Sequence, residues 1–207
     1  MINPWLNVPV ADYKIHMEHE SVRQGEMIRR HFENCLERFD PDSLLYLGAG
    51  IGNGLESAQV SQLSDIRAVD VNPEYLAYLR KRFETLTALR TENCRFPEGF
   101  SEPGGFDLAY GALFFEYVDL ETSLAAIAAH LAPEGHLVAL LQQQSEQGKM
   151  TSSGVASLET VLPIMSLHTP GAFRDLADLN GGFRHVSTAH ITSPCGKPFC
   201  EVALQRA

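Results

Sequence analysis

Glycines occupy alternate positions directly after a short apolar run, in the stretch LLYLGAGIGNG at residues 44–54. Gly48, Gly50 and Gly52 leave the main chain bare, so a molecule can lie against the backbone where any side chain would collide with it. The same pattern could instead form only a tight turn between a strand and a helix. We predict that Gly48, Gly50 and Gly52 contact a ligand, whereas Gly54 is better explained by close packing of a helix.

The spacing of these glycines separates two classes of ligand. The dinucleotide fingerprint GxGxxG requires glycines at offsets zero, two and five. Counted from Gly48, offset five is Asn53, and counted from Gly50 it is Leu55. The loop is therefore a poor match to a nicotinamide-binding loop.

An acidic residue lies where a nucleoside would need it. Asp70 ends the apolar run IRAVD, 22 positions after Gly48. A carboxylate at the end of a second strand can accept hydrogen bonds from both hydroxyls of a ribose. Asp70 could instead cap the turn that follows it. Together with the glycine loop, however, it indicates a ligand that contains a ribose.

The glycine pattern and Asp70 resemble motif I and its acidic partner in the class I S-adenosylmethionine-dependent methyltransferases. FDLAYGALFFEYV is similar to the family's fourth strand, and HLAPEGHLVALL to its turn into the fifth strand, with Glu134 in place of one glycine. Two closing strands that form a hairpin are also typical of the family and generally absent from dehydrogenases. These features follow the family's order over residues 44–206.

The resemblance implies which residues hold the cofactor. Asp70 would bind the ribose, Val71 would lie against the adenine, and the end of the fourth strand at Gly111 would lie beside the methionine part. The side-chain carbonyl of Asn93 could accept a hydrogen bond from the adenine amino group. The implied cofactor-binding residues are Gly48, Ala49, Gly50, Gly52, Asp70, Val71, Asn93 and Gly111.

One position departs from the family. An acidic residue commonly stands two places before the first glycine, where it organises the loop and the methionine end of the ligand. This chain has Tyr46 there. The departure keeps open the alternative of a non-catalytic S-adenosylmethionine-binding protein on the same fold.

Five polar residues are candidates for the acceptor pocket. Tyr13 and His16 are three positions apart, so on a helical turn they would share a face. Glu116 and Tyr117 follow the fourth strand and Gln142 ends the fifth, at the edge where open α/β sheets bind ligands. His16 and Glu116 are the candidates for a catalytic base.

Each of these candidates also has a simpler interpretation. Tyr13 and His16 could belong to a solvated helix start, and Glu116 could cap a neighbouring helix. His16 and His19 lack the third ligand and the spacing of a metal site, so we expect no metal.

The surrounding elements are those of an α/β protein. Ile28, Phe32 and Leu36 recur at helical spacing before the first strand, and Asn72 with Pro73 is a typical helix start. Alternating strands and helices predict parallel crossovers, whereas FRHVSTAHITS and PFCEVALQRA are joined only by PCGK and predict a hairpin. We predict a doubly wound, mostly parallel seven-stranded sheet with a C-terminal antiparallel hairpin. It would form a single domain over residues 1–207, with a helical lid at 1–40 and a Rossmann-like core at 41–207.

Composition excludes several partners. The formal net charge is −10, from 26 acidic and 16 basic side chains, and such a surface repels nucleic acid. The apolar stretches are too short to cross a bilayer, and the N-terminus lacks a basic start followed by an apolar core. Four scattered cysteines without a CxxC pair suggest reduced thiols. We therefore expect a cytoplasmic protein with neither membrane nor nucleic-acid partners.

The resemblance implies methyl transfer from S-adenosylmethionine, with S-adenosylhomocysteine as the product. The core occupies most of the chain and leaves residues 1–40 and 143–168 to build an acceptor pocket, so we expect a small-molecule acceptor with an O, N or S nucleophile. A nicotinamide-dependent oxidoreductase is a weaker alternative. The sequence specifies neither the acceptor nor the oligomeric state.

Overall fold

The computed structural model describes residues 3–58, 63–101, 104–145, 148 and 153–207. Within these residues seven strands form one sheet: β1 (Ser43–Leu47), β2 (Asp65–Asp70), β3 (Leu89–Asn93), β4 (Phe106–Ala112), β5 (Leu131–Gln142), β6 (Phe183–Thr192) and β7 (Pro198–Arg206).

The strand order is β3-β2-β1-β4-β5-β7-β6. The pairs among β1 to β5 are parallel, and β7 runs antiparallel to both β5 and β6. This confirms the predicted mostly parallel sheet and its closing hairpin. The chain leaves β1 toward β2 on one side and returns to β4 on the other, which opens a crevice at the carboxyl ends of β1 and β4.

The helices are α1 (Val10–Glu18), α2 (Gln24–Phe39), α3 (Leu55–Ala58), α4 (Pro73–Arg82), α5 (Leu120–His130), α6 (Ala156–Glu159) and α7 (Pro170–Gly181). α3 begins at Leu55, directly after the glycine loop, and residues 59–62 lie outside the described part of the chain. No helix in the described part of the chain is long and apolar enough to cross a membrane.

The helix starts follow from their capping residues. The side chain of Asn72 accepts a hydrogen bond from the main-chain nitrogen of Glu74 at 2.9 Å, and Pro73 occupies the first helical position of α4. Asp119 caps α5 in the same way, through the main-chain nitrogen of Thr122 at 3.0 Å. These caps fix where each crossover leaves the sheet.

The apolar run of β1 is continuous because both faces of the sheet are covered. Leu44 and Tyr46 pack in one cluster with Phe32 of α2, while Leu45 and Leu47 pack in a second cluster with residues of α5 and α7. A strand buried on both faces has no polar positions to alternate with. Core residues on both faces of the sheet therefore fix the end of β1, from which the glycine loop begins.

Candidate active site

A cavity opens at the carboxyl ends of the parallel strands, between the sheet and the N-terminal segment. The space inside it is about 1030 Å³ when the open solvent at its mouth is counted. Eight residues predicted to bind cofactor or acceptor line it together: Gly48, Gly50, Asp70, Val71, Tyr13, His16, Tyr117 and Gln142. Strand ends far apart in sequence thus meet at one place.

Three of the other predicted residues lie behind this lining. Ala49 is buried in a core cluster. A Cβ on Gly52 would lie 2.7 Å from the ring of Phe83, and one on Gly111 would lie 2.7 Å from the ring of Phe115. The small size of these glycines makes room for core side chains in the structure.

The glycine loop presents bare main chain to the cavity. Gly48 and Gly50 have φ of +60° and +53°, in the left-handed region that favours glycine. The main-chain nitrogen of Gly50 donates a hydrogen bond to Oδ2 of Asp70 at 2.8 Å. A Cβ on Gly54 would lie 3.0 Å from the side chain of Phe32, which agrees with the packing role predicted for that glycine.

Asp70 links the glycine loop to the start of α4. Its other oxygen accepts a hydrogen bond from the main-chain nitrogen of Asn72 at 2.8 Å. Burial raises the pKa of Asp70 to about 6, and the main-chain donors of Asn72 and Gly50 oppose that rise. Each carboxylate oxygen can accept a further hydrogen bond, so the group can still bind a ribose hydroxyl on its cavity side.

Asn93 stands beside Asp70 at the end of β3 but is exposed and does not line the cavity. Its amide nitrogen donates to the main-chain oxygens of Asp70 at 3.0 Å and Val71 at 2.9 Å. The amide therefore fixes the turn after β2, and its carbonyl oxygen is the atom left to meet a ligand.

Tyr46, at the position of the family's acidic residue, organises the loop from the core side. Its hydroxyl donates to the main-chain oxygen of Asn53 at 2.7 Å, and its ring stacks on Phe32 with centroids 5.5 Å apart. The ring is buried in the core and leaves the cavity open. Tyr46 thus binds the far end of the loop from the sequence position at which the family usually has an acidic residue.

Four aromatic side chains form a continuous wall of the cavity. The ring of Trp5 lies 5.1 Å from that of Tyr117 and 6.3 Å from that of Tyr13, which in turn lies 5.0 Å from that of Tyr75. The side-chain amide of Asn72 donates to the main-chain oxygen of Trp5 at 2.9 Å and holds the N-terminal segment in place. The sequence analysis missed Trp5 and Tyr75. The position of Tyr75 in the first turn of α4, directly after Asp70, was the available signal.

His16 is 3% exposed and reaches the cavity from α1. Its Nδ1 lies 2.8 Å from the hydroxyl of Ser153. Burial lowers the pKa of His16 to about 4, and the positive charge of Lys197 adds to the effect. The imidazole is therefore neutral near pH 7, with one ring nitrogen positioned by Ser153.

Glu116 is 1% exposed and lies just behind the lining residue Gln142. One carboxyl oxygen accepts a hydrogen bond from the main-chain nitrogen of Gln142 at 2.7 Å, and the other has no partner among the described residues. Burial raises the pKa of Glu116 to about 7, while Lys197 opposes the rise. Glu116 is thus a proton-binding group near neutral pH.

Lys197 is a buried cation that the sequence analysis missed. It lies in the connection between β6 and β7 and is fully buried. Burial lowers the pKa of Lys197 to about 8, and Cys195 and Glu116 oppose that change. A lysine in a hairpin turn is ordinarily exposed, so nothing local in the sequence indicated its burial.

An adenosyl cofactor suits the groups in this cavity. Two glycines expose main chain, the carboxylate of Asp70 faces the cavity beside them, and the hydroxyl of Tyr75 is buried without a partner among the described residues. A ligand with a ribose and further polar groups would meet all of these. The residues present therefore fit the cofactor that the sequence resemblance implies.

A second polar cluster lies away from the cavity, between α2 and β7. One ligand atom each of His31, Cys35 and Glu201 lie within 4.8 Å of one another. Both ring nitrogens of His31 are engaged, with the hydroxyl of Tyr110 at 2.9 Å and with Glu201 at 2.9 Å. Arg38 binds the other oxygen of Glu201 at 2.9 Å. The cluster is a satisfied hydrogen-bonded network that joins the helix to the sheet.

Comparison with known proteins gives a consistent result. Residues 45–139 match the family model described as a methyltransferase domain. No curated protein matches the chain by sequence.

Solved structures share the fold at low sequence identity. The N-methyltransferase NodS from Bradyrhizobium japonicum, in complex with S-adenosyl-L-homocysteine, is 14% identical with a TM-score of 0.68, over 91% of this chain and 88% of that chain. A geranyl diphosphate methyltransferase in complex with S-adenosylmethionine is 14% identical with a TM-score of 0.68, over 86% and 85%. An S-adenosylmethionine-dependent methyltransferase from Mesorhizobium loti is 17% identical with a TM-score of 0.64, over 84% and 96%.

Proposed function

We propose that the chain methylates a small-molecule acceptor, because residues 45–139 match a methyltransferase domain and S-adenosylmethionine-dependent methyltransferases share its fold. The observation that carries this proposal is the cover over the cavity. Trp5 and Tyr13 of the N-terminal segment and Leu158 of α6 line the cavity together with residues at the strand ends. A macromolecular acceptor would have to displace this cover.

The composition and the structural neighbours support the same acceptor class. The formal net charge of −10 disfavours a nucleic-acid acceptor. Proteins of similar fold include a geranyl diphosphate methyltransferase and an N-methyltransferase. Different acceptor chemistries thus occur on this fold. In this proposal the acceptor atom is an O, N or S nucleophile.

When bound, S-adenosylmethionine supplies a methyl group already activated on a sulfonium. The protein then has to orient the acceptor and exclude water. The aromatic wall of Trp5, Tyr13, Tyr75 and Tyr117 serves the second task, because its rings line the cavity with apolar surface. Gln142, at the end of β5, can hold the acceptor by hydrogen bonds.

Two groups can receive a proton from an acceptor that carries one. The neutral imidazole of His16 lines the cavity, whereas Glu116 lies one layer behind Gln142. A base must be within hydrogen-bond reach of the proton it removes, directly or through one water. We therefore assign direct proton transfer to His16 and a supporting role to Glu116.

The N-terminal residues 1–40 act in this proposal as the lid over a core of residues 41–207. The lid's contacts with the core include the bond from Asn72 to Trp5 and one from Ser157 to Asp12 at 2.6 Å. Within residues 1–40 the part that can move is the segment before α2, because α2 packs in the apolar core through Phe32 and Leu36. Entry and release of ligands would occur through this segment.

Methyl transfer to small molecules is tested with S-adenosylmethionine labelled in its methyl group. The protein is incubated with a cell extract, and products are separated into small molecules, protein and nucleic acid. We expect the label in the small-molecule fraction, and a loss of that label in an Asp70→Ala variant. Label confined to protein or nucleic acid would contradict the proposed acceptor class.

A further inference from the structure

Two tyrosines from different parts of the chain line the cavity with unused hydrogen-bond donors. Tyr13 comes from α1 and Tyr75 from α4, their rings lie 5.0 Å apart, and both line the cavity. Neither was assigned to the cofactor by the sequence analysis. Tyr75 is 2% exposed, so its hydroxyl is shielded from bulk water.

The hydroxyl of Tyr75 has no hydrogen-bond partner among the described residues. The hydroxyl of Tyr13 accepts a hydrogen bond from the side chain of Asn53 at 3.3 Å and donates none within that same part of the chain. A buried donor left without an acceptor costs free energy, and such groups mark places where a ligand completes the bonding. Two unused O–H donors on adjacent rings therefore indicate a ligand group that accepts from both.

The position of the pair selects which part of the cofactor this is. The hydroxyl of Tyr13 lies 3.1 Å from where a Cβ on Gly50 would stand, directly over the bare main chain. Asp70 already offers acceptors to the ribose, and a hydroxyl pair adds donors rather than acceptors. The group of S-adenosylmethionine with the greatest need for donors is its carboxylate, because a charged acceptor forms the stronger hydrogen bonds.

We infer that Tyr13 and Tyr75 together bind the amino-acid carboxylate of S-adenosylmethionine through their hydroxyl groups. Both phenols stay protonated, because burial and the nearby carboxylate of Asp70 raise the pKa of each above its ordinary value. The negative charge of Asp70 disfavours the carboxylate of the ligand nearby unless hydrogen-bond donors stabilise it. The tyrosine pair supplies those donors. Within the described part of the chain, the charged residues that line the cavity are Asp70 and Arg95.

Two ligands that differ only in the amino-acid part test this assignment. S-adenosylhomocysteine has the carboxylate, whereas 5′-methylthioadenosine keeps the adenine and ribose and lacks it. Affinities are measured by isothermal titration for the wild type, Tyr75→Phe and Tyr13→Phe. We expect each variant to bind S-adenosylhomocysteine roughly 10- to 100-fold more weakly, the effect of losing a hydrogen bond to a charged group. Affinity for 5′-methylthioadenosine should change less than about twofold.

Tyr110→Phe is the matched control, because it removes a hydroxyl that is engaged. The hydroxyl of Tyr110 lies 2.9 Å from Nδ1 of His31, outside the cavity lining. Tyr110→Phe should lower the Tm of the free protein and leave both affinities unchanged. Tyr75→Phe should leave that Tm unchanged or raise it, because its hydroxyl has no partner to lose.

The outcomes distinguish the alternatives. Equal weakening of both ligands would place the tyrosines on the ribose and overturn the inference, as would unchanged affinity for S-adenosylhomocysteine in both variants. Should one variant fail to fold, the other still tests its own hydroxyl against the two ligands. Equal wild-type affinity for the two ligands, or no binding of S-adenosylhomocysteine, would contradict the inference. None of these readouts depends on the acceptor, so they are independent of the proposed small-molecule activity.

Discussion

Two buried glutamates, Glu201 and Glu116, have opposite environments. Glu201 is 7% exposed and both its oxygens are paired, one with His31 and one with Arg38, each at 2.9 Å. These partners lower the pKa of Glu201 below its ordinary value. Glu116 is 1% exposed, has one paired oxygen and one without a partner among the described residues, and its pKa is raised to about 7.

The difference separates a group whose hydrogen bonding is complete from one that can still bind a ligand. A satisfied network such as that of Glu201 joins α2 to β7 and leaves no bonding capacity for a ligand. The groups around the cavity keep unused capacity, at Glu116, Tyr75 and Tyr13. Proteins tolerate that cost at sites where a ligand recovers it.

The largest effect is expected from Glu201→Gln. The substitution removes the charge on which His31 and Arg38 depend, and it should lower the free energy of unfolding at pH 7 by about 3 kcal/mol. Because the folded pKa of Glu201 is depressed, its contribution is present above the ordinary value of 4.5 and is lost as the pH falls through the folded pKa. Urea unfolding at pH 7 and near pH 3.5 measures both effects.

The difference between wild type and Glu201→Gln should shrink at the lower pH. Affinity for S-adenosylhomocysteine should be unchanged at pH 7, because Glu201 lies outside the cavity lining. A variant that lost cofactor affinity while keeping its stability would reverse the proposed division between the two regions.

Asp70→Ala should produce the next largest effect, on binding. Removing the carboxylate loses charge-assisted hydrogen bonds to a ribose and should weaken the binding of S-adenosylhomocysteine by about 2 kcal/mol. Asp65→Ala, at the opposite end of the same strand, is the matched control and should leave affinity unchanged. Isothermal titration of both folded variants measures the difference, and equal affinities would refute the role of Asp70.

The parts of the fold and site that depend on neighbouring residues could be predicted from the sequence. Gly48 and Asp70 follow β1 and β2, which are adjacent parallel strands, so their positions follow from the strand pattern alone. The same logic brought Gln142 to the cavity, because β4 and β5 are also parallel neighbours. Each of these residues stands at the carboxyl end of its strand.

Residues that depend on long-range packing could not be predicted in this way. Trp5 lines the cavity, and Asn72, 67 positions along the chain, binds its main-chain oxygen. Lys197 is buried although it lies in a hairpin turn. Glu116 lies behind Gln142 because the 3₁₀ turn Phe115–Tyr117 directs its carboxylate to the main-chain nitrogen of that residue. No local periodicity encodes these contacts.

Glu116→Gln should have the opposite sign to Glu201→Gln. Since the folded pKa of Glu116 is about 7 and its ordinary value is 4.5, the folded state binds more protons between these pH values, and wild-type stability falls as the pH rises through them. Glutamine stays neutral and can still accept the bond from Gln142. The variant should therefore be more stable than the wild type at pH 8 by about 1–2 kcal/mol. The attraction between Lys197 and the wild-type carboxylate reduces this gain.

Unfolding measured at pH 5 and pH 8 tests this sign, with Glu121→Gln on the exposed side of α5 as the control. A loss of stability at pH 8 in Glu116→Gln would mean that its charge is paired as that of Glu201 is, and the contrast between the two glutamates would fail.

The smallest effect is expected from Tyr46→Phe. The variant loses the hydrogen bond to the main-chain oxygen of Asn53 and should lose about 1 kcal/mol of stability. Its affinity for S-adenosylhomocysteine should change little, because the ring lies in the core and outside the cavity lining. Thermal unfolding and isothermal titration on the same sample give both values. If affinity fell tenfold while stability held, position 46 would serve the ligand as the family's acidic residue does, and Tyr46 would belong with the cavity groups and not with the network of Glu201.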